Sequence, residues 1–198
     1  MIGDKIGHRL DPYLFSFYHK ILGANGTPNL LTFLGLLAML LASFLVIQDH
    51  WVYAGLAIIL SGIFDLFDGV IARRLNKVTR FGGFFDSVVD RYSDLLFLFA
   101  LLLFYLEQNR SDLVILVFVV ATGTVLVSYA RARAEAAQVA CNIGLMERAE
   151  RLILLVIGTL FHVMVPVLWI LAILTHVTVL QRIYHVWKKL KIKDQGQV

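Results

Sequence analysis

The sequence predicts an all-α integral membrane protein: six transmembrane helices preceded by an N-terminal interfacial amphipathic helix. Three observations predict it. Of 198 residues, 59% are hydrophobic and only 16% charged, and the mean hydropathy is +0.78, outside the range of a soluble domain. Apolar stretches approaching the roughly 20 residues of a membrane span recur six times. Once those spans are drawn, all of the 18 Lys and Arg residues except Arg110 fall on one side, the bias expected of cytoplasmic loops.

Residues 3–22 come first. Leu10, Leu14, Phe15, Tyr18 and Leu22 recur at helical spacing among Lys5, His8, Arg9, His19 and Lys20. This pattern fits a helix lying on the membrane surface, or an amphipathic arm packed on the bundle. The run from Gly23 to Pro28 ends it. Spans follow at about 30–48, 52–73, 84–106, 112–134, 149–165 and 167–186. Helices are the economical choice because hydrocarbon offers backbone groups no partner. Short linkers and the lack of a convincing internal repeat make residues 1–198 a single membrane domain. Residues 187–198, with the run KKLKIK, are expected to form a basic cytoplasmic tail near anionic headgroups. The first 25 residues lack the clean apolar core and cleavage site of a signal peptide. Cys141, the single cysteine, excludes an intramolecular disulfide and a zinc–thiolate cluster. The expected location is the cell membrane, multi-pass, with both termini in the cytoplasm. No nucleic-acid partner is expected.

The segment DLFDGVIARRLNKVTRFGGFFDSVVD places Asp65, Asp68, Asp86 and Asp90 where lipid-buried helix is expected. Ionisable residues at membrane depth are costly and mark functional sites. Asp65 and Asp68 are three apart and share a helix face, as do Asp86 and Asp90, four apart. Asp94 continues the second stripe one turn deeper. The cytoplasmic connection between the two helices would bring both pairs together. Four carboxylates call for a cation, and oxygen-only ligands suit Mg²⁺, Mn²⁺ or Ca²⁺ rather than zinc. Gly69, Gly82 and Gly83 lie beside them, where close approach of a helix or ligand would explain glycine. Arg73 and Arg74, one turn beyond Asp68, suit a phosphate or pyrophosphate.

The pattern D-x2-D-G-x2-A-R-x8-G-x3-D-x3-D, carried here by Asp65, Asp68, Gly69, Ala72, Arg73, Gly82, Asp86 and Asp90, resembles the signature of the CDP-alcohol phosphotransferases without departure in residue or spacing. The resemblance implies transfer of a substituted phosphate from a CDP-linked donor to an alcohol, with release of CMP. It implies that Asp65, Asp68 and Asp86 hold metal. It gives Asp90 a double role, as ligand of a second Mg²⁺ or Mn²⁺ and as general base. It also implies that Asn29, Thr32, Gly69, Arg73 and Thr79 hold the CDP-lipid, and that the protein is a homodimer. Asp94 is expected to support Arg91 or one of the ligands.

A second stretch, VSYARARAEAAQVACNIGLMERAERLIL, brackets one loop with Arg131, Arg133, Arg148 and Arg151. A solvated loop with weak i,i+4 ion pairs is one reading. The other is a pocket for an acceptor that itself carries a phosphate, which guanidinium groups bind in bidentate fashion. SYARARAE, GLMERAER and QRIYHVW look like the phosphatidylinositol phosphate and archaetidylinositol phosphate synthases. That likeness implies inositol 1-phosphate as acceptor, a phosphorylated polyol, with Arg131, Arg133, Arg151 and Arg182 on its phosphate. Glycerol 3-phosphate, as in a phosphatidylglycerol phosphate synthase, is the competing acceptor. A metal or ion transporter leaves the D-G-x2-A-R spacing unexplained, and the short Gly-Gly connection argues against a UbiA-like prenyltransferase.

Overall fold

The computed structural model describes residues 27–75 and 77–195. The expected interfacial helix at 3–22 lies outside them. Six helices follow in order: α1 Pro28–Ile47, α2 Trp51–Arg74, α3 Arg80–Glu107, α4 Ser111–Ala136, α5 Arg148–Leu160 and α6 Met164–Gln195. There is no strand among the described residues. Each helix stands on one of the six expected segments. α1, α2, α4 and α6 over Met164–Ile192 are long and apolar enough to cross a membrane. α3 has 28 residues, charged over its first half and apolar from Leu95 onwards.

Two expectations need correction. The fifth segment was expected to run from 149 to 165, but α5 is a helix of 13 residues ending at Leu160. At a rise of about 1.5 Å per residue it reaches only about 20 Å, short of a hydrocarbon core of about 30 Å. The span expected to end at 186 also runs on into the expected basic tail. α6 continues unbroken to Gln195, because Trp187-Lys-Lys-Leu-Lys-Ile contains neither Gly nor Pro and consists largely of good helix formers. Lys191 lies 5.3 Å from the centre of the Trp187 ring, one turn back.

The helix ends explain the compact arrangement. α1, α3 and α5 each end in the same three-residue turn, with its middle residue in the left-handed region: Asp49 (φ 63), Asn109 (φ 57) and His162 (φ 56). In each the next N–H closes back five residues, His50 to Leu45 O at 2.8 Å, Arg110 to Tyr105 O at 3.0 Å and Val163 to Gly158 O at 3.0 Å. These bonds satisfy carbonyls that a helix end leaves orphaned. Asn, Asp and His tolerate the left-handed region better than other side chains. The chain is therefore three antiparallel hairpins, α1–α2, α3–α4 and α5–α6. α1 also packs on α3, α4 on α6, and α5 on α2, which closes the hairpins into a ring. Ile58, Met39, Phe97, Leu101, Leu168 and Leu171 are fully buried inside it. Phe33, Leu37, Leu41 and Phe44 of α1 point outward, as a span apolar on every face does.

Helix approach is close at Gly123 of α4, where a Cβ would collide with Thr175 Oγ1 of α6 and come within 2.9 Å of the His176 ring. Gly123→Leu is expected to push α4 from α6 and lower the melting temperature in detergent by several degrees. Asn109→Val is expected to cost about 1–2 kcal/mol, since a β-branched residue is strained at positive φ, whereas Asn109→Gly should stay within about 0.5 kcal/mol of wild type. Thermal unfolding of the three variants checks both expectations.

Candidate active site

The three tight turns lie at one end of the ring. The connections between α2 and α3 and between α4 and α5 lie at the other, and every candidate residue gathers there. Asp65 and Asp68 sit near the end of α2 and Asp86 near the start of α3. One carboxylate oxygen of each lies within 4.8 Å of the others. Asp86 Oδ1 is buried with no hydrogen-bond partner among the described residues, a state that is costly for a polar atom unless something completes it. An all-oxygen set with an orphaned ligand atom fits a hard divalent cation such as Mg²⁺ or Mn²⁺.

α1 supplies the wall beside this trio. Thr32 Oγ1 donates to Asp68 Oδ2 at 2.6 Å, fixing the orientation of a carboxylate only 6% exposed. Thr79 caps α3 by accepting from the Gly82 N–H at 2.9 Å, the usual arrangement for a hydroxyl at a helix start. A Cβ on Gly82 would lie 2.9 Å from Thr79 Oγ1 and 3.5 Å from Asn29 Oδ1. The glycine thus lets α1 and the start of α3 meet. At Gly69 a Cβ would lie 3.2 Å from Arg73 Nη1, so the glycine makes room for that guanidinium to fold back along α2. Among the described residues nothing lies within 4 Å of a Cβ placed on Gly83, so no close approach among them explains it. Of the residues expected on the CDP-lipid, Thr32 thus touches Asp68, Asn29 and Thr79 meet at Gly82, and Arg73 lies against Gly69, the residue after Asp68.

Asp90 stands apart from the trio. Its Oδ1 pairs with Arg148 Nη1 at 2.9 Å, and the same nitrogen reaches Asp65 Oδ1 at 2.6 Å. One turn deeper, Arg151 Nη2 pairs with Asp94 Oδ2 at 2.6 Å. Asp94 thus supports Arg151 rather than Arg91, which donates to Ser87 O at 2.6 Å. Asp90–Arg148 and Asp94–Arg151 form a two-rung ladder between α3 and α5, helices that are not among the main packed pairs. Long arginine side chains bridge the ring where backbones do not meet. A cavity of about 10 Å³, room for about one water, lies beside Asp90, Asp65, Arg148, Ser93 and Thr32. From sequence Arg148 counts only among the four arginines bracketing the loop, not among those expected on the acceptor phosphate or beside the aspartates. The available signal was its i,i+3 spacing with Arg151 opposite the i,i+4 pair Asp90 and Asp94.

The four expected acceptor arginines divide. Arg151 is 5% and Arg182 2% exposed, and both donate to protein atoms. Arg151 Nη1 reaches Met146 O at 3.2 Å, while Arg182 reaches Ile143 O at 2.8 Å and Val127 O at 2.6 Å. Arg182, with Thr178 accepting from the Met146 N–H at 3.1 Å, pins the α4–α5 connection onto α6. Gly144 of that connection has φ +140 and lies against Thr178. Arg131 is exposed and pairs with Glu135 at 3.0 Å. Arg133, also exposed, opens with Arg182 onto a groove of about 540 Å³ between α4 and α6. Arg131 and Arg151 are both near enough to repel the charge on Arg182.

The family model described as CDP-alcohol phosphatidyltransferase matches residues 25–181. An archaetidylinositol phosphate synthase of Pyrococcus horikoshii is 39% identical over 167 residues, covering 84% of this chain and 86% of that protein. The crystal structure of Mycobacterium tuberculosis phosphatidylinositol phosphate synthase with CDP-DAG bound superposes with TM-score 0.80 at 28% identity, covering 88% of this chain and 93% of the other. The same enzyme in complex with manganese and citrate gives 0.81, with 88% of each chain covered.

Removing one partner of a buried ion pair strands the other charge, at about 3–5 kcal/mol. Arg151→Leu is accordingly expected to destabilise the protein by about 3 kcal/mol or more. The double variant Arg151→Leu, Asp94→Leu is expected to regain most of that loss. Thermal unfolding in detergent measures the cycle, and additive losses would argue against the ladder.

Proposed function

This chain belongs to the CDP-alcohol phosphatidyltransferase family, and we propose that it transfers a phosphatidyl-type group from a CDP-linked lipid to inositol 1-phosphate, giving an inositol-phosphate phospholipid and CMP. The observation that carries the reading is one juxtaposition. Asp65, Asp68 and Asp86 converge within 4.8 Å at the same end of the ring as Arg131, Arg151 and Arg182. The first group suits a pyrophosphate-bridging cation, and the second suits an acceptor that carries its own phosphate. The relatives named as inositol-phosphate lipid synthases favour inositol 1-phosphate over glycerol 3-phosphate as that acceptor.

In this reading Asp65, Asp68, Asp86 and Asp90 hold two divalent cations, Mg²⁺ or Mn²⁺. Bound there, the cations supply Lewis-acid stabilisation of charge building on the departing CMP. Asn29, Thr32, Gly69, Arg73 and Thr79 hold the CDP moiety. Asp90 accepts the proton of the attacking inositol hydroxyl. That hydroxyl oxygen bonds to the lipid-linked phosphorus as the bond from this phosphorus to the CMP phosphate oxygen breaks. Arg131, Arg133, Arg151 and Arg182 form the acceptor side. The buried pair also brace the α4–α5 connection, so their positive charge is held in place whether or not acceptor is bound. The protein is a multi-pass membrane protein. The excess of basic residues at the carboxylate end supports a cytoplasmic active site with both termini on that side. We take it to act as a homodimer.

CMP release from CDP-diacylglycerol or CDP-archaeol with Mg²⁺ or Mn²⁺, compared among inositol 1-phosphate, free inositol and glycerol 3-phosphate, tests the reading. Only the first is expected to support turnover, and chelation of the metal is expected to abolish it. Turnover with glycerol 3-phosphate alone would overturn the acceptor assignment. Asp90→Asn is expected to lower kcat by at least a hundredfold while the melting temperature stays near wild type. Arg131→Ala, at an exposed position, is expected to raise KM for inositol 1-phosphate about tenfold and to leave KM for the CDP-lipid unchanged.

A further inference from the structure

We propose that Arg148 is a built-in counter-cation of the aspartate cluster: it neutralises Asp65 and Asp90 in the metal-free protein and weakens the cluster's grip on divalent cations. The proposal rests on the reading that the aspartates hold metal. Four features of Arg148 lead to it.

First, a single nitrogen, Nη1, serves two carboxylates, Asp65 at 2.6 Å and Asp90 at 2.9 Å. These belong to different helices, α2 and α3, so the guanidinium acts as a shared charge and not as the partner of one acid. Second, Asp65 belongs to both arrangements. Its carboxylate is one of the three that converge within 4.8 Å and is also the one Arg148 Nη1 reaches at 2.6 Å, so a cation held by that trio would share a ligand with the Arg148 charge. Third, Arg148 is the first residue of α5. The unpaired N–H groups of that helix start add positive potential in the same place. Fourth, its side chain is only 20% exposed, and its Nε is buried with no hydrogen-bond partner among the described residues. Solvent therefore cannot screen the charge as it would on a surface arginine.

Two consequences follow. Without metal, Arg148 relieves repulsion among carboxylates that α2 and α3 bring together at one end of the ring, so the ring can close before metal arrives. With metal, the same charge opposes the incoming ions, because unit charges a few ångström apart interact strongly where the effective dielectric is low. The cluster then takes up divalent cations reversibly. Arg148 acts through the aspartates and is a positioning residue.

The test uses the full-length protein in detergent, wild type against Arg148→Gln and Arg148→Lys. Mn²⁺ affinity is read by electron paramagnetic resonance of the free ion, and melting temperature is read in EDTA and in Mn²⁺. Arg148→Gln is expected to bind Mn²⁺ about tenfold or more tightly. It should melt several degrees lower than wild type in EDTA, and Mn²⁺ should raise its melting temperature by more than it raises that of wild type. Arg148→Lys keeps the charge and is expected to stay within about threefold of the wild-type Kd. If Arg148→Gln folds only with metal, it is purified in Mn²⁺ and its Kd taken by chelator competition. An unchanged or weaker Kd in Arg148→Gln overturns the proposal. So does an equal loss of stability in EDTA and in Mn²⁺, which would mark an ordinary structural contact. Wild-type protein that binds no Mn²⁺ overturns the metal reading of the site and this proposal together.

Discussion

Negative charge held at membrane depth is the constraint on which the rest of the molecule depends. Asp65, Asp68, Asp86, Asp90 and Asp94 lie on two helices joined by one short connection at the end of a largely apolar ring, and carboxylates so placed are costly unless something answers them. Arg148 and Arg151 answer from a third helix. This explains an otherwise odd element. α5, at 13 residues, is too short to cross hydrocarbon alone, but its first turn carries both arginines to the depth of Asp90 and Asp94. Position matters more than length for such a helix, and the α4–α5 connection that sets its position is held by Thr178 and Arg182 of α6.

The division of labour among the arginines follows from burial. A guanidinium with five donors can brace protein with some of them and leave others for a ligand. Arg151 does so visibly, with Nη1 and Nη2 engaged and Nε without a partner among the described residues. Around the α4–α5 connection the bracing therefore falls to charged side chains. Around the aspartate trio it falls to neutral ones. Thr32 orients Asp68 and Thr79 caps α3, so small hydroxyls do the bracing and the carboxylates remain available.

Much of this was readable from residue order alone, because the informative signals were local. Asp65 with Asp68 and Asp86 with Asp90 share helix faces by spacing, and six apolar stretches marked six helices to within a few residues at most ends. The rest depended on relations between distant segments. Nothing in the local pattern ended α5 at Leu160, since the apolar run continues through Phe161 to Val167. The stop comes from His162 in the left-handed region, a conformation that Asp49 and Asn109 adopt with different side chains. The repeated use of one turn, which also ends α4 with Gln138 at φ 55, was invisible as a sequence repeat for the same reason: its geometry is shared and its residues are not. The role of Arg148 was hidden because the bias placing arginines on the cytoplasmic side accounts for it equally well. Only its distances to Asp65 and Asp90 separate the two explanations.

Those three like turns have a topological consequence. Because they close one end of every hairpin, the described aspartates and loop arginines gather at the opposite end, and the turn end carries short connections with a surface pair, Arg110 and Asp112. Synthesis by such a molecule is vectorial with respect to the bilayer. A lipid headgroup assembled at the aspartates emerges into the same monolayer that delivered its precursor. Any population of that lipid in the other monolayer then has to arrive by transverse movement.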